Sequence, residues 1–151
     1  MAACGTLSDV QSDSAMKYMV FKPKGWSSSG TYPVLVFLHG SGGVGKPENV
    51  RRISLGSMLL DPAYADKVGH IVLLPLATTG DWSNHFETIM QLVDMAVKTL
   101  GGDASRVAVA GQSMGGHGAW MLATQHARSF SAVVAICGYY NSLPTLAAAL
   151  K

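Results

Sequence analysis

The chain has 151 residues, of which 48% are hydrophobic and 13% charged, and its formal net charge is +2. This length supports one domain with a core, and so apolar a composition excludes intrinsic disorder for most of the chain. The small net charge gives no reason to expect a nucleic acid or an anionic membrane surface as a partner.

The two cysteines, Cys4 and Cys137, do not have the number or spacing of a disulfide framework or a metal site. We expect them to be buried free thiols in a reducing compartment. The N-terminus lacks the basic and apolar regions of a signal peptide, and no run reaches the ~20 apolar residues of a membrane helix. The sequence therefore predicts a cytoplasmic protein without a membrane span, a metal or a cofactor.

The N-terminal part contains two predicted strands. Residues 1–16 are mostly small and polar and are predicted to be disordered, and a single domain is predicted over residues 17–151. The first strand is predicted over residues 17–22 and the second over residues 34–38. The second strand is continuously apolar, which is typical of strands buried on both faces of a parallel sheet.

The central part alternates turns, helices and one further strand. A glycine-rich turn, HGSGG, occupies residues 39–43. A helix is predicted over residues 50–60, where an Asp-Pro pair then marks a break, and a buried strand over residues 71–75. Residues 83–100 have apolar side chains at helical spacing, and two glycines follow this amphipathic helix.

The C-terminal part begins with a predicted strand over residues 107–110. A glycine-containing turn and a helix to about Arg128 follow, and a last strand is predicted over residues 132–137. Apolar strands that alternate with helices predict an α/β fold, a mostly parallel sheet with helices on both faces.

Residues 111–116, Gly-Gln-Ser-Met-Gly-Gly, are the most informative segment. A Gly-x-Ser-x-Gly turn between a strand and a helix has the context of a nucleophile elbow, with Ser113 as the nucleophile. The backbone N–H of Met114 is one predicted oxyanion donor. The glycine-rich turn supplies the other, with the N–H of Ser41 as the first choice and that of Gly42 as the second. Each motif alone is also compatible with a structural turn. Their order and contexts together indicate an acyl-transfer site.

These segments resemble the α/β-hydrolase superfamily, especially its esterase and predicted-peptidase branch near the prolyl-oligopeptidase-type and phospholipase/carboxylesterase groups. The resemblance extends over residues 17–138. It is carried by VLVFLHGSGG (34–43), DPAYADK (61–67), IVLLP (71–75) followed by DW (81–82), RVAVAGQSMGGHGAWMLA (106–123) and AVVAICG (132–138). It implies a serine hydrolase of carboxylesterase type that acts on a small-molecule acyl ester, with Ser113 as nucleophile and Ser41 and Met114 in the oxyanion hole.

The acid and histidine of the triad are missing from the expected place. In the resembling family they follow the seventh and eighth strands, whereas no Asp or Glu follows Asp103 in this sequence. The resemblance therefore implies a C-terminally truncated hydrolase that lacks the last two strands and has impaired turnover. The alternative is a non-catalytic hydrolase-fold protein, or a fragment that pairs with another subunit. The apolar strand over residues 132–137 predicts self-association through its uncovered edge.

Several residues near these motifs have two possible roles. His39 and Gly42 are predicted to contact the substrate, although His39 is also suited to holding the glycine-rich turn in shape. Trp82 is predicted either as a wall of the acyl pocket or as a core aromatic residue. His117 is a packing residue or, less favoured, a substitute base, and His85 either lines the pocket or begins a helix.

Overall fold

The structure is a computed structural model that describes residues 4–12, 16–139 and 148. In these residues a seven-stranded sheet lies between two layers of helices. The strands are β1 (Thr6–Leu7), β2 (Gln11–Ser12), β3 (Lys17–Lys22), β4 (Tyr32–Leu38), β5 (Ile71–Pro75), β6 (Gly102–Gln112) and β7 (Ala132–Ile136). The helices are α1 (Pro47–Arg52), α2 (Ser54–Leu60), α3 (Pro62–Ala65), α4 (Phe86–Leu100) and α5 (Met114–Gln125).

The sheet has the strand order β1-β3-β5-β4-β6-β7, and β2 also pairs with β3. Strands β5, β4, β6 and β7 are parallel, while β3 runs antiparallel to β5. Leu38, the last residue of β4, lies opposite Gly111 near the end of β6. The turns after β4 and β6 therefore leave the same edge of the sheet side by side, where open α/β sheets bind ligands.

The core has two layers because the central strands are buried on both faces. All five residues of β5 are buried, and the first four alternate between the two layers. In the layer beneath α4 and α5 the largest buried side chains include Leu38, Ile71, Leu73, Trp82, Ile89, Leu92 and Leu122. In the layer beneath α1, α2 and α3 they include Met19, Phe21, Leu59 and Leu74. The predicted mostly parallel sheet with helices on both faces is confirmed.

Two local expectations differ from the structure. The segment expected to be disordered contributes β1 and β2, because their backbones pair antiparallel with the two ends of β3. The single helix expected over residues 50–60 is divided into α1 and α2. Ile53 adopts an extended backbone (φ −117°, ψ 156°) and Ser54 a positive φ of 51°, so the helical hydrogen bonds stop between them.

The exposure of β7 differs from that of the other parallel strands. Among the described strands β7 pairs with β6 alone, and its side chains alternate between exposed and half-buried. Val134 is 53% exposed and Ile136 45%. Cys137, expected to be buried, is an exposed free thiol because no described element covers this end of the strand, and Cys4 is half-buried.

None of the helices in the described part of the chain combines the length and the apolar character needed to cross a bilayer. The longest of them, α4, has 15 residues and carries an amphipathic rather than a uniformly apolar surface. It ends at Gly101, whose φ of 77° suits glycine and terminates the helix as predicted. The cytoplasmic location stays a prediction.

Candidate active site

Ser113 occupies the sharp turn between β6 and α5. Its backbone has φ 56° and ψ −119°, a conformation that residues with a side chain rarely adopt. The surroundings hold this strain: the Ser113 N–H donates to the Ile136 carbonyl at 2.8 Å, and the His117 N–H donates to the Ser113 carbonyl at 3.0 Å. The turn exposes the serine side chain, which is the geometry that a nucleophile elbow requires.

The glycines on either side of Ser113 are required by close packing. A Cβ on Gly115 would collide with the carbonyl oxygen of Leu38, and a Cβ on Gly111 with the carbonyl oxygen of Gly115. The elbow is therefore pressed against the end of β4, whose following turn carries Ser41, one of the two predicted oxyanion donors. The spacing of glycines seen in the sequence has a steric cause here.

Ser41 and Met114, the predicted oxyanion donors, each begin a helical element. Ser41 is the first residue of a 3₁₀ turn, Ser41–Gly43, and Met114 is the first residue of α5. The backbone N–H groups of a first turn have no partner within their own helix, so both are available to an anion. Ser41 and Ser113 line the same cavity, which brings the predicted donor and nucleophile together.

His39 is buried beneath the glycine-rich turn, with 2% of its surface exposed. Its Nδ1 lies 2.7 Å from the Gly40 carbonyl, and its Nε2 accepts the Ala77 N–H at 3.1 Å. Since Nε2 must be unprotonated to accept, the ring is neutral with its proton on Nδ1. Burial lowers the pKa of His39 in agreement with this. Both ring nitrogens are engaged, which favours the supporting role over contact with substrate.

Trp82 is 1% exposed and packs in the core layer under α4 and α5. Its indole N–H donates to the His39 carbonyl at 3.1 Å, and the two rings meet edge to face with centroids 4.8 Å apart. Of the two predicted roles, this burial favours the core aromatic. His85 lies in the 3₁₀ turn that precedes α4, which favours its helix-start role over a place in the pocket.

Two hydrogen bonds that the sequence did not predict connect α1 and α2 to the candidate site. The Asn49 side chain on α1 donates to the Gly42 carbonyl at 2.8 Å. The Ser54 hydroxyl at the start of α2 donates to the Gln112 side chain at 2.6 Å. Gln112 directly precedes Ser113, the predicted nucleophile. The only trace of this arrangement in the sequence is the Gly-x-Ser pattern itself, because the partners of the Ser54 bond are far apart in the chain.

Asp81 and His117 lie on the other side of the elbow. Asp81 accepts hydrogen bonds from the N–H and the hydroxyl of Ser83, both at 2.8 Å, and these bonds hold the pKa of its carboxyl below the usual range. His117 has its Nδ1 2.8 Å from the Tyr139 carbonyl and stacks on the Tyr139 ring at 4.1 Å. These contacts favour the packing role of His117 over that of a base.

Two cavities adjoin the elbow. The first, about 210 Å³, is called the Ser113 cavity; Phe37, Ser41, Val50, Ile53, Ser54, Gln112 and Ser113 are among the residues that line it. The second, about 180 Å³, is called the Met114 cavity and is lined by Gly80, Asp81, Trp82, Met114, His117 and Tyr139. No group of three His, Cys, Asp or Glu side chains in the described ranges is placed to hold a metal ion.

The family match and the similar solved structures are of esterases and serine hydrolases. Residues 74–148 match the family described as "Putative esterase". No curated protein is significantly similar to the chain. Among solved structures, a thermostable esterase superposes with a TM-score of 0.75 at 22% identity, over 97% of this chain and 44% of its own.

Two further solved structures have the same fold. The fluorophosphonate-binding serine hydrolase F of Staphylococcus aureus has a TM-score of 0.69 at 16% identity, over 88% of this chain and 57% of its own. The feruloyl esterase module of Clostridium thermocellum, complexed with sinapinate, has a TM-score of 0.73 at 15% identity, over 97% of this chain and 60% of its own. The chain spans about half the length of these structures. At such identities they establish the fold, and the predicted α/β-hydrolase fold is confirmed.

Proposed function

Because the chain has the α/β-hydrolase fold and matches an esterase family over residues 74–148, we propose that it is a serine hydrolase of carboxylesterase type. Its substrate would be a small-molecule ester or a related acyl compound. The observation that carries the proposal is the strained backbone of Ser113, at φ 56°, beside two helix-start N–H groups. A strain of this kind is costly and persists where the surrounding structure maintains it, commonly at active sites.

The proposed reaction is acyl transfer to Ser113. The serine Oγ forms a bond to the carbonyl carbon, the bond from that carbon to the alcohol oxygen breaks, and the serine proton ends on the departing alcohol. The negative charge that develops on the carbonyl oxygen is stabilised by the N–H groups of Ser41 and Met114. Removing one such donor in a serine protease costs about 10²–10³ in kcat. Water then hydrolyses the acyl-serine and restores the hydroxyl.

We expect the residues described in the structure to support acylation better than sustained turnover. Within these residues the Ser113 hydroxyl makes no hydrogen bond, and the nearest histidine in sequence, His117, is held by Tyr139. A serine without its base is a weak nucleophile. An oxyanion hole with bound substrate still retains roughly 10³–10⁴-fold catalysis over water in a protease without its triad.

The test is a pre-steady-state measurement with p-nitrophenyl acetate on wild type and Ser113→Ala. We expect wild type to release up to one equivalent of p-nitrophenol, with an acetyl group found on the protein by intact mass, followed by slow turnover. Ser113→Ala should release only the background amount and carry no acetyl group. Equal release and equal acetylation in both proteins would contradict the proposal.

A second candidate is a non-catalytic hydrolase-fold protein that binds acyl ligands or another subunit. The exposed apolar side chains of Val134 and Ile136 on the outer strand favour it. This candidate predicts that wild type forms no acetyl adduct in the same experiment. It also predicts that the folded protein binds a non-hydrolysable ester analogue, observed as shifts of amide signals around Ser41 and Ser113 in NMR spectra.

A further inference from the structure

The His39 carbonyl oxygen lies where three parts of the candidate site meet. It belongs to the glycine-rich turn after β4, and it accepts the indole N–H of Trp82 at 3.1 Å. A Cβ on Gly115 of the elbow would lie 2.7 Å from the same oxygen. We propose that Trp82 is a positioning residue whose N–H holds the glycine-rich turn against the elbow in the geometry that acyl transfer requires. The inference rests on the proposed function, since its effect is on the reaction of Ser113.

The bond to Trp82 fixes the peptide group that joins His39 to Gly40. Leu38 is the last residue of β4 that pairs with β6, so the strand pairing ends before this carbonyl. A trans peptide group is planar, and the direction of its carbonyl therefore also sets the direction of the Gly40 N–H. Glycine itself restricts the backbone little, so the orientation of this peptide group depends on contacts such as the one with Trp82.

Gly40 lies next to the predicted nucleophile. A Cβ on Gly40 would lie 3.5 Å from the Ser113 Cβ and 3.3 Å from the Gln112 carbonyl oxygen. Ser41, the predicted oxyanion donor, is the next residue and begins the 3₁₀ turn. A rotation of the peptide group before Gly40 would therefore move the Ser41 N–H relative to Ser113. Misplacement of a reacting group by ~1 Å costs about 10²-fold in rate.

The indole ring of Trp82 also contacts α5, the helix that follows the elbow. A Cβ on Gly118 would meet three atoms of the Trp82 side chain at 2.8 to 2.9 Å. Gly118 is four residues after Met114, so both lie on one face of the helix. One side chain therefore connects α5, which begins with Met114, to the turn that carries Ser41.

Burial makes the Trp82 N–H hard for water to replace. Trp82 is 1% exposed and His39 2%, and their rings pack edge to face with centroids 4.8 Å apart. A buried acceptor that loses its donor is costly, and rotation of its peptide group toward another donor relieves that cost. The bond therefore acts on the orientation of the turn as well as on the stability of the core.

Two further hydrogen bonds join the chain after β5 to the same turn. The Ala77 N–H donates to His39 Nε2 at 3.1 Å, and the Gly45 N–H donates to the Ala77 carbonyl at 2.9 Å. These bonds hold the imidazole ring and the far end of the turn, whereas Trp82 holds the main chain between them. Removing the Trp82 N–H alone should therefore misorient the peptide group before Gly40 without releasing the whole turn.

The test replaces Trp82 by benzothienylalanine, in which sulfur takes the place of the indole N–H and the ring keeps nearly the same shape. Labelling of Ser113 by a fluorophosphonate is followed by intact mass at several probe concentrations, which separates the maximal rate kinact from the affinity constant KI. We expect kinact to fall about tenfold or more and KI to change by about twofold at most, because the oxyanion donors act on the transition state. The amide NMR signals of Gly40 and Ser41 should shift.

Two further proteins separate positioning from packing. Replacement of Trp82 by azatryptophan keeps the N–H and should leave kinact within about twofold of wild type. Replacement of Trp26 by benzothienylalanine removes a bond of the same kind, 2.9 Å long, to the carbonyl of Leu100 before β6, and should leave kinact unchanged. Urea unfolding of each protein measures the effect on stability separately. Trp82→Phe and Trp26→Phe give the same comparison if the benzothienyl proteins do not fold.

The outcomes separate the two proposals. If wild type gains no adduct on Ser113, the proposed function fails and the positioning role fails with it. If Ser113 is labelled but the Trp82 variant without an N–H reacts like wild type, only the positioning role is overturned. Equal slowing in the Trp26 variant or in the azatryptophan protein would also overturn it, because the loss would then not depend on the N–H that faces His39.

Discussion

His39 supports the candidate site through the hydrogen bonds of its two ring nitrogens. Its Nε2 accepts the Ala77 N–H after β5, while its Nδ1 donates to Gly40 in the glycine-rich turn after β4. One neutral imidazole therefore connects the ends of two neighbouring parallel strands and fixes the turn that carries Ser41. Protonation at Nε2 would replace the bond to Ala77 by a contact between two donors.

We expect His39 to make the stability of the fold depend on pH. Burial lowers its pKa in the folded state below the unfolded value of about 6.5, so the unfolded chain binds the proton more readily. Its contribution is complete above pH 6.5 and is lost as pH falls below it, with a slope of at most about 1.4 kcal/mol per pH unit. Urea unfolding of His39→Gln between pH 7.5 and 5 should show a smaller loss than wild type. Equal pH dependence would contradict this role.

At the scale of elements, α1 and α2 hold the two turns of the proposed oxyanion site in position. The Asn49 side chain on α1 donates to the Gly42 carbonyl in the turn after β4, and the Ser54 hydroxyl on α2 donates to Gln112, which precedes Ser113 at the end of β6. The break between the helices places both bonds on one side of the site. The positive φ of Ser54 belongs to that break.

Removing either bond should slow the reaction of Ser113 and leave the free energy of unfolding nearly unchanged. Ser54→Gly removes the hydroxyl and suits the backbone at φ 51°, and Asn49→Ala removes the bond to Gly42. We expect labelling by a fluorophosphonate to be several-fold slower in each variant, with the free energy of unfolding changed by about 1 kcal/mol or less. Ser57→Ala, an exposed hydroxyl on the same helix, serves as the control. Unchanged labelling rates in both variants would show that the helices do not position the site.

For the whole molecule, β7 is the surface where association is expected. Val134 and Ile136 lie beside Ala110 and Gln112 of β6 and project from the face that also carries α1 and α2. Exposed β-branched side chains on an outer strand favour pairing with another chain. Self-association through β7 remains a prediction.

Sedimentation velocity of wild type and Val134→Lys tests the predicted self-association through β7. Wild type should form dimers or larger species as its concentration rises, and a lysine on the outer strand should oppose this association at little cost to folding, because Val134 is 53% exposed. Val10→Lys changes another exposed valine, 41% exposed and outside β7, and should sediment like wild type. A wild-type chain that stays monomeric at every concentration would contradict the prediction.

The parts of the fold that were predictable are those with a local cause. The glycines around Ser113 predicted the tight turn between β6 and α5, and the apolar runs predicted β4 and β5, because sterics and burial act on consecutive residues. The pairing of Thr6–Leu7 with β3 and the bond between Ser54 and Gln112 were not predictable. They join positions distant in the chain, and neither partner has a residue type that demands the contact.

The central claim, that Ser113 is the nucleophile, is tested most directly by intact mass after reaction with a fluorophosphonate. The proposed oxyanion donors would stabilise the phosphonyl oxygen as they would a carbonyl oxygen, so wild type should gain one adduct, located by peptide mapping on residue Ser113. Ser57→Ala should gain the same adduct, and Ser113→Ala none. No adduct on folded wild type, or an adduct of equal yield on Ser113→Ala, would contradict the account.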